Sequence, residues 1–398
     1  MKEEIRVKEI AKLVSLFLMV ATCAVVWSGY GILTSAASQH IGTIFTIAFL
    51  VILGTSLSDF TKKDWLWTGF ITILMAVPII FYQDNMGYLR FYSQIPFVLA
   101  FIFFGSKVKM DKKYCFTFLG FSSLYSVIAL VKMILATFEI GSSSLWMNVN
   151  LIAGSVLFVT MLGIIMLDKL ETEYTVIFQL ILAVVAMMTV LLCKSWTSMI
   201  ALFIFVALMF IIKFVPAIQK IAKKRNFWLS IYSGLFIFAP VISYVVVAFD
   251  GFGTSFSGRV DIWMYFFRAW KNSTSSILIG MKGTFHDPVL NLPAHNAYLD
   301  VLGAYGLIGY ILLFGGILGL LFWRKQKEYS INQVISLSAF LMVGLHAFME
   351  NYLNSFHWIS LLFIFLAVFI SQSNEAELPV SNERVAEAAK AESTDIEI

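Results

Sequence analysis

The sequence is short of charge. Only 13% of its 398 residues are charged, while 60% are hydrophobic. A soluble domain of this length needs far more charge on its surface, so a water-soluble globular protein is excluded. Cysteine is scarce as well. Cys23, Cys115 and Cys193 lie in or beside different apolar runs with no C-x-x-C pair, which suggests neither a disulfide framework nor a zinc site. The chain also lacks a Walker sequence, an Asp-x-Asp pair and an internal repeat. A transferase that works on a metal-bound nucleotide sugar is therefore not expected. Nor is any metal, other cofactor or nucleic-acid partner.

What the sequence has instead is apolar runs of about 17–25 residues, the length that crosses about 30 Å of hydrocarbon. Twelve candidate spans fall near 11–29, 40–57, 65–83, 91–106, 115–137, 148–168, 173–193, 195–214, 227–249, 298–322, 332–349 and 353–371. The expected fold class is all-α: a polytopic transmembrane helix bundle with one long loop containing short helices. Nine spans fill 1–249, the long loop fills 250–297, three spans fill 298–371, and an acidic tail fills 372–398.

Lys and Arg give the bundle a direction. The N-terminal segment and every second loop after it are basic, so 21 of the 28 Lys and Arg fall on one side. The positive-inside rule makes that side cytoplasmic, with both termini there and the long loop on the outer face. Glu3, Glu4 and Glu9 argue against a cleaved signal peptide, so the first span is read as retained. The tail, low in apolar residues, reads as a solvated segment.

A long loop among short ones is either functional or disordered. This loop is rich in aromatics, among them Trp263, Phe266, Phe267 and Trp270, and is too apolar to float free. From Arg259 to Lys271 the spacing of Ile262, Tyr265, Phe266 and Trp270 predicts a short amphipathic helix at the interface. His295 follows, where the loop re-enters the membrane. A lone interfacial His is most often a hydrogen-bonded structural residue. Asp300, five residues on, is too far round the helix to share its face, so no dyad is expected.

Ser257-Gly258-Arg259, Trp263, Ile279-Gly280, His295-Asn296-Ala297-Tyr298-Leu299 and Gly306 occur in that order. This pattern resembles the O-antigen polymerase/ligase superfamily, in which S-G-R … W … G … H-N-x-Y-L-x(6)-G occupies a large extracytoplasmic loop and the start of the next span. The match covers about 250–310, and the span layout agrees over the rest. The resemblance implies a bacterial cytoplasmic-membrane glycosyltransferase whose donor is a glycan on a polyprenyl diphosphate. It also implies that Arg259 engages the diphosphate and His295 acts as the base, with Asn296, Tyr298 and Trp263 as supporting residues; Arg268, outside the motif, reads as a steering charge. A second family arginine, at the end of an upstream span, is matched by Lys194. That is a departure, because Lys supplies charge without the bidentate fork of Arg. Lys194 weighs about evenly as a snorkelling span-end lysine and as a diphosphate ligand. Arg90 is a further candidate for the diphosphate, or an anchor for its span.

The chemistry is consistent with that implication. Breaking a glycosyl–phosphate bond builds charge on the leaving diphosphate, which a fixed guanidinium stabilises. The attacking sugar hydroxyl must lose a proton, which a histidine accepts near neutral pH. One cation and one base make a minimal inverting transferase. The expected function is a surface-polysaccharide polymerase that moves a growing glycan onto a lipid-linked repeat unit. Membrane lipids, a chain-length regulator and a flippase are its expected partners. A ligase that moves finished glycan to another acceptor shares the same donor site. A lipid-linked glycan flippase is the rival of another class; it predicts midplane charges and helices broken in paired halves, neither of which the sequence shows.

Overall fold

The computed structural model describes residues 2–28, 31–82, 92–138, 148–249, 258–281, 283, 285–289, 291–322, 326–353 and 355–377. Fifteen α-helices make up the described chain, which contains no strand. They are α1 (Lys2–Val26), α2 (Gly31–Ser56), α3 (Lys62–Tyr82), α4 (Gln94–Gly105), α5 (Lys112–Thr137), α6 (Val149–Leu170), α7 (Thr175–Leu192), α8 (Trp196–Phe214), α9 (Pro216–Ala222), α10 (Arg225–Ala248), α11 (Arg259–Trp270), α12 (Thr274–Ile279), α13 (Ala297–Phe322), α14 (Ile331–Ala347) and α15 (Ile359–Glu377). Ten helices are long and apolar enough to cross a membrane, and the shorter apolar α4 and α14 complete the twelve segments expected. The protein is a multi-pass all-α membrane bundle.

Burial sorts the helices. In α6, 83% of the most apolar window is inside the protein, and in the segment Phe356–Ser373 the share is 89%. The peripheral α3 shows 11%. Helices that are apolar all round thus serve either as the core or as a surface facing lipid. With lipid as solvent, the hydrophobic effect does little to hold one helix against another, so small residues and hydrogen bonds do that work. Gly163 lets α6 approach Ser122, whose hydroxyl donates to the Val159 carbonyl at 2.6 Å. Tyr125 donates to Ala24 at 3.0 Å and pairs with Ser155 at 2.7 Å, joining α5 to α1 and α6.

Several local devices set where helices begin, bend and end. Pro240 has no N–H for the Phe236 carbonyl one turn back, and the Tyr310 hydroxyl donates to that carbonyl instead at 2.6 Å. This joins α10 to α13 at a Pro site. The α7–α8 connection is as tight as expected: Lys194 takes φ 54°, its N–H bonds Leu191 at 2.9 Å, and the Ser195 N–H bonds Val190 at 3.3 Å. This is a Schellman turn with Lys where Gly is usual.

Two expectations shift. Helix α2 begins at Gly31, ahead of the span expected from 40. Helix α15 continues to Glu377 with Ser371, Gln372 and Ser373 buried, so the start of the proposed tail belongs to the bundle. Gln333 explains the latter, because its amide donates to Ser373 at 2.7 Å. Residues 378–398 lie outside the described chain.

Candidate functional site

The long loop between α10 and α13 folds onto the bundle. Helix α11 is amphipathic as expected, but its buried face is Val260, Ile262, Trp263, Phe266 and Phe267, while Tyr265 and Trp270 are only partly covered. Trp263 is fully buried, and its indole N–H donates to the Ala294 carbonyl at 2.8 Å. That bond ties α11 to the residue before His295.

Two glycines make the other tie. Gly280 has φ 90°, and a Cβ there would lie 2.3 Å from the Ala304 carbonyl oxygen. Gly306 has φ 62°, and a Cβ there would lie 2.4 Å from the Leu278 backbone. Only glycine allows both the left-handed backbone and this approach. The Met281 N–H then donates to the Gly303 carbonyl at 2.7 Å, clamping the loop onto α13.

Asn296 is fully buried. Its Oδ1 accepts the N–H groups of Tyr298 at 3.1 Å and Leu299 at 3.2 Å, so it caps α13. Its Nδ2 donates to Ser243 of α10 at 3.0 Å. Tyr298 is also buried and donates its hydroxyl to Gly344 of α14 at 2.9 Å. Both residues hold the start of α13 in place, and with it the neighbouring His295.

His295 itself has φ 48°, a left-handed backbone that costs a non-glycine residue roughly 1–2 kcal/mol. Such strain is characteristic of functional positions. The structure brings His295 and Arg259 to one carboxylate. Glu350 Oε1 lies 3.6 Å from Arg259 Nη2, and Oε2 lies 3.9 Å from His295 Nδ1. These are ion-pair distances, too long for hydrogen bonds. Arg259 Nε and His295 Nδ1 are buried and have no hydrogen-bond partner among the described residues. The Glu350 backbone carbonyl accepts the Ala297 N–H at 3.0 Å, which fixes the carboxylate's loop to the start of α13.

A polar line runs back from this cluster into the bundle. Tyr352 Oη lies 3.0 Å from His346 Nδ1, and His346 Nε2 lies 2.9 Å from Ser198 Oγ. Ser195 donates to Ser198 at 3.2 Å. Burial and the nearby Glu350 charge hold the Tyr352 phenol well above its ordinary pKa, so it stays a neutral hydroxyl. Asp300 is buried beside His295, with the Ala294 backbone and the Asn351 side chain against its carboxylate. The helical-face argument against Asp300 fails because His295 precedes α13 and is not on it.

The other candidates scatter. Lys194 comes to the same end of the bundle, next to Ser195, but it is exposed and makes no ion pair with a described residue. Arg268 is exposed over the Tyr265 ring at 6.0 Å, facing away from the cluster. Arg90 and Ser257 lie outside the described residues. Glu350 and His346 are what sequence reasoning underweighted. An acid in the last loop, such as Glu350, could line the same cavity or simply snorkel, and His346 sits in an apolar helix with no local signal.

Fold and site together define a multi-pass membrane protein in which a folded-back loop brings an arginine and a histidine to one glutamate. No protein family, characterised protein or solved structure matches this chain.

Proposed function

We propose that this protein is a surface-polysaccharide polymerase of the bacterial cytoplasmic membrane, working at the outer face with both termini cytoplasmic. The observation that carries the reading is the convergence of Arg259 and His295 on Glu350, with unpaired nitrogens left on both basic residues. The donor is a growing glycan on a polyprenyl diphosphate, and the acceptor is a sugar hydroxyl of a lipid-linked repeat unit.

In this reading the acceptor oxygen attacks the anomeric carbon and the bond from that carbon to the diphosphate breaks. The hydroxyl proton passes to His295. The bond's electron pair leaves on the diphosphate, which Arg259 stabilises. Glu350 faces the Nδ1 side of the ring, so the Nε2 side is left for the acceptor and the carboxylate steadies the imidazolium that forms. Before the donor arrives, Glu350 also holds Arg259. The loose 3.6 Å pairing lets a diphosphate displace it.

A deletion strain tests the reading. Its carrier lipid is expected to hold single repeat units. Full-length polymer accumulating on the carrier would instead identify a ligase, and unchanged glycan would remove both assignments.

A further inference from the structure

A second feature lies at the far end of α11 from the cluster. An open cavity of about 640 Å³ runs between α10 and α13, lined by groups that include Phe236, Pro240, Tyr244, Tyr310 and Phe314. It is almost wholly apolar. From Tyr244 down to Ser233 it follows α10 for about 17 Å, at 1.5 Å of rise per residue. Lys271 is the one charged group among its lining residues. The Lys271 ammonium sits 4.1 Å from the centre of the Tyr244 ring at the mouth. Trp270 lines the same mouth, and its buried indole N–H has no hydrogen-bond partner among the described residues. The groove therefore pairs an apolar trough with a cation and an unused donor, the complement of a lipid whose tail lies in the membrane and whose head is a phosphate.

We infer that this groove binds the polyprenyl tail of the acceptor lipid, with the acceptor's diphosphate held by Lys271 and Trp270. The inference rests on the polymerase reading. Distance decides which lipid sits here. Helix α11 runs from Arg259 to Trp270, which sets the two basic stations about 17 Å apart. A diphosphate is too small to touch both. The donor's scissile bond is attached directly to its diphosphate, so the donor's head must lie at Arg259, within reach of His295. The acceptor's reacting hydroxyl is at the other end of its repeat unit from its diphosphate. A short oligosaccharide laid along α11 spans that gap and brings its terminal sugar to His295. Arg268, exposed one turn before Lys271, adds positive potential on the same stretch.

The test counts lipids on the full-length protein in phosphatidylethanolamine nanodiscs by native mass spectrometry, with undecaprenyl diphosphate as the probe. The wild type is expected to bind two. Lys271→Ala combined with Trp270→Phe should bind one, and so should Gly315→Phe, which fills the groove from an open position. Arg259→Ala should also bind one, and combining it with either groove variant should leave none. Lys271→Arg should keep both, showing that the charge and not the exact side chain is needed. Binding of a single lipid that depends on Arg259 but not on Lys271 or Gly315 would overturn the groove assignment and leave the polymerase reading standing. Displacement of the Lys271-dependent lipid by an equal concentration of dioleoylphosphatidylglycerol would also overturn it, making the groove an ordinary phospholipid site. Failure of the wild type to prefer undecaprenyl diphosphate at all would overturn both.

Discussion

At one end of the bundle several lysines are each paired with a carboxylate. Lys12 reaches Glu9 at 3.0 Å, Lys107 reaches Asp64 at 2.5 Å, and Lys112 reaches Glu171 at 2.7 Å. Lys213 pairs with Asp168 and also donates to Gln179 at 3.1 Å. At the other end two basic residues share one acid at 3.6 and 3.9 Å, and Arg259 Nε and His295 Nδ1 have no hydrogen-bond partner among the described residues. Polar groups buried without partners are costly and therefore uncommon. Buried atoms without a hydrogen-bond partner among the described residues occur at both ends, Glu9 Oε2, Arg225 Nε and the Gln372 amide at the first, so the contrast between the ends lies in how their cations are paired. At the second end an arginine and a histidine share one carboxylate with no hydrogen bond to it, so a charged ligand can compete for them. Mutations at the two ends should therefore fail differently: through stability at the closed end, through activity at the open one.

The largest effect belongs to His295. In His295→Ala the polymer-forming rate should fall by roughly 10²–10⁴-fold, the usual contribution of a positioned base. Membrane insertion and thermal stability should be close to normal. Normal polymer length and yield in this variant would defeat the catalytic assignment. Next comes Arg259. Arg259→Ala should lose about 3 kcal/mol of transition-state stabilisation, of order 10²-fold in rate. Arg259→Lys should recover only part, since charge returns without the bidentate grip. Full recovery with Lys would mean the guanidinium geometry is unimportant.

At the closed end, Asp168→Asn leaves Lys213 facing Gln179 without its counter-charge. Because both side chains are 10–14% exposed, a loss of about 1–3 kcal/mol in stability is expected, less than for a fully buried pair. It should be read as a lower unfolding temperature in detergent, with activity per folded molecule unchanged. An activity loss larger than the stability loss would erase the contrast between the ends.

Much of this was legible in the sequence, for physical reasons. The spans follow from the thickness of hydrocarbon, so run length alone finds them. The alternation of basic loops matches the gathering of Lys12, Lys107, Lys112 and Lys213 at one end. Arg259 and His295 stood out because their motif is local in the chain. Glu350 did not, because it lies two helices beyond His295 and acquires its meaning only when α13 and α14 pack. Asp300 was set aside by a helical-face argument that assumed His295 to be helical, whereas its left-handed backbone places it outside α13. The groove between α10 and α13 was not visible either, since its apolar lining reads the same as any lipid-facing surface.

The smallest effect sharpens the comparison most, because its two readouts should move in opposite directions. Lys194 stands at the open end in a left-handed conformation that glycine adopts freely. Lys194→Gly should remove that strain and raise stability by up to about 1 kcal/mol. If Lys194 serves the diphosphate, as proposed from the resemblance, the same change should lower the transfer rate severalfold. Lys194→Arg should keep the strain and raise the rate. A variant that is both more stable and fully active would make Lys194 a span-end lysine and nothing more. Its exposed ammonium would then belong to the membrane surface, and Arg259 alone would remain as the proposed cation for the donor's diphosphate.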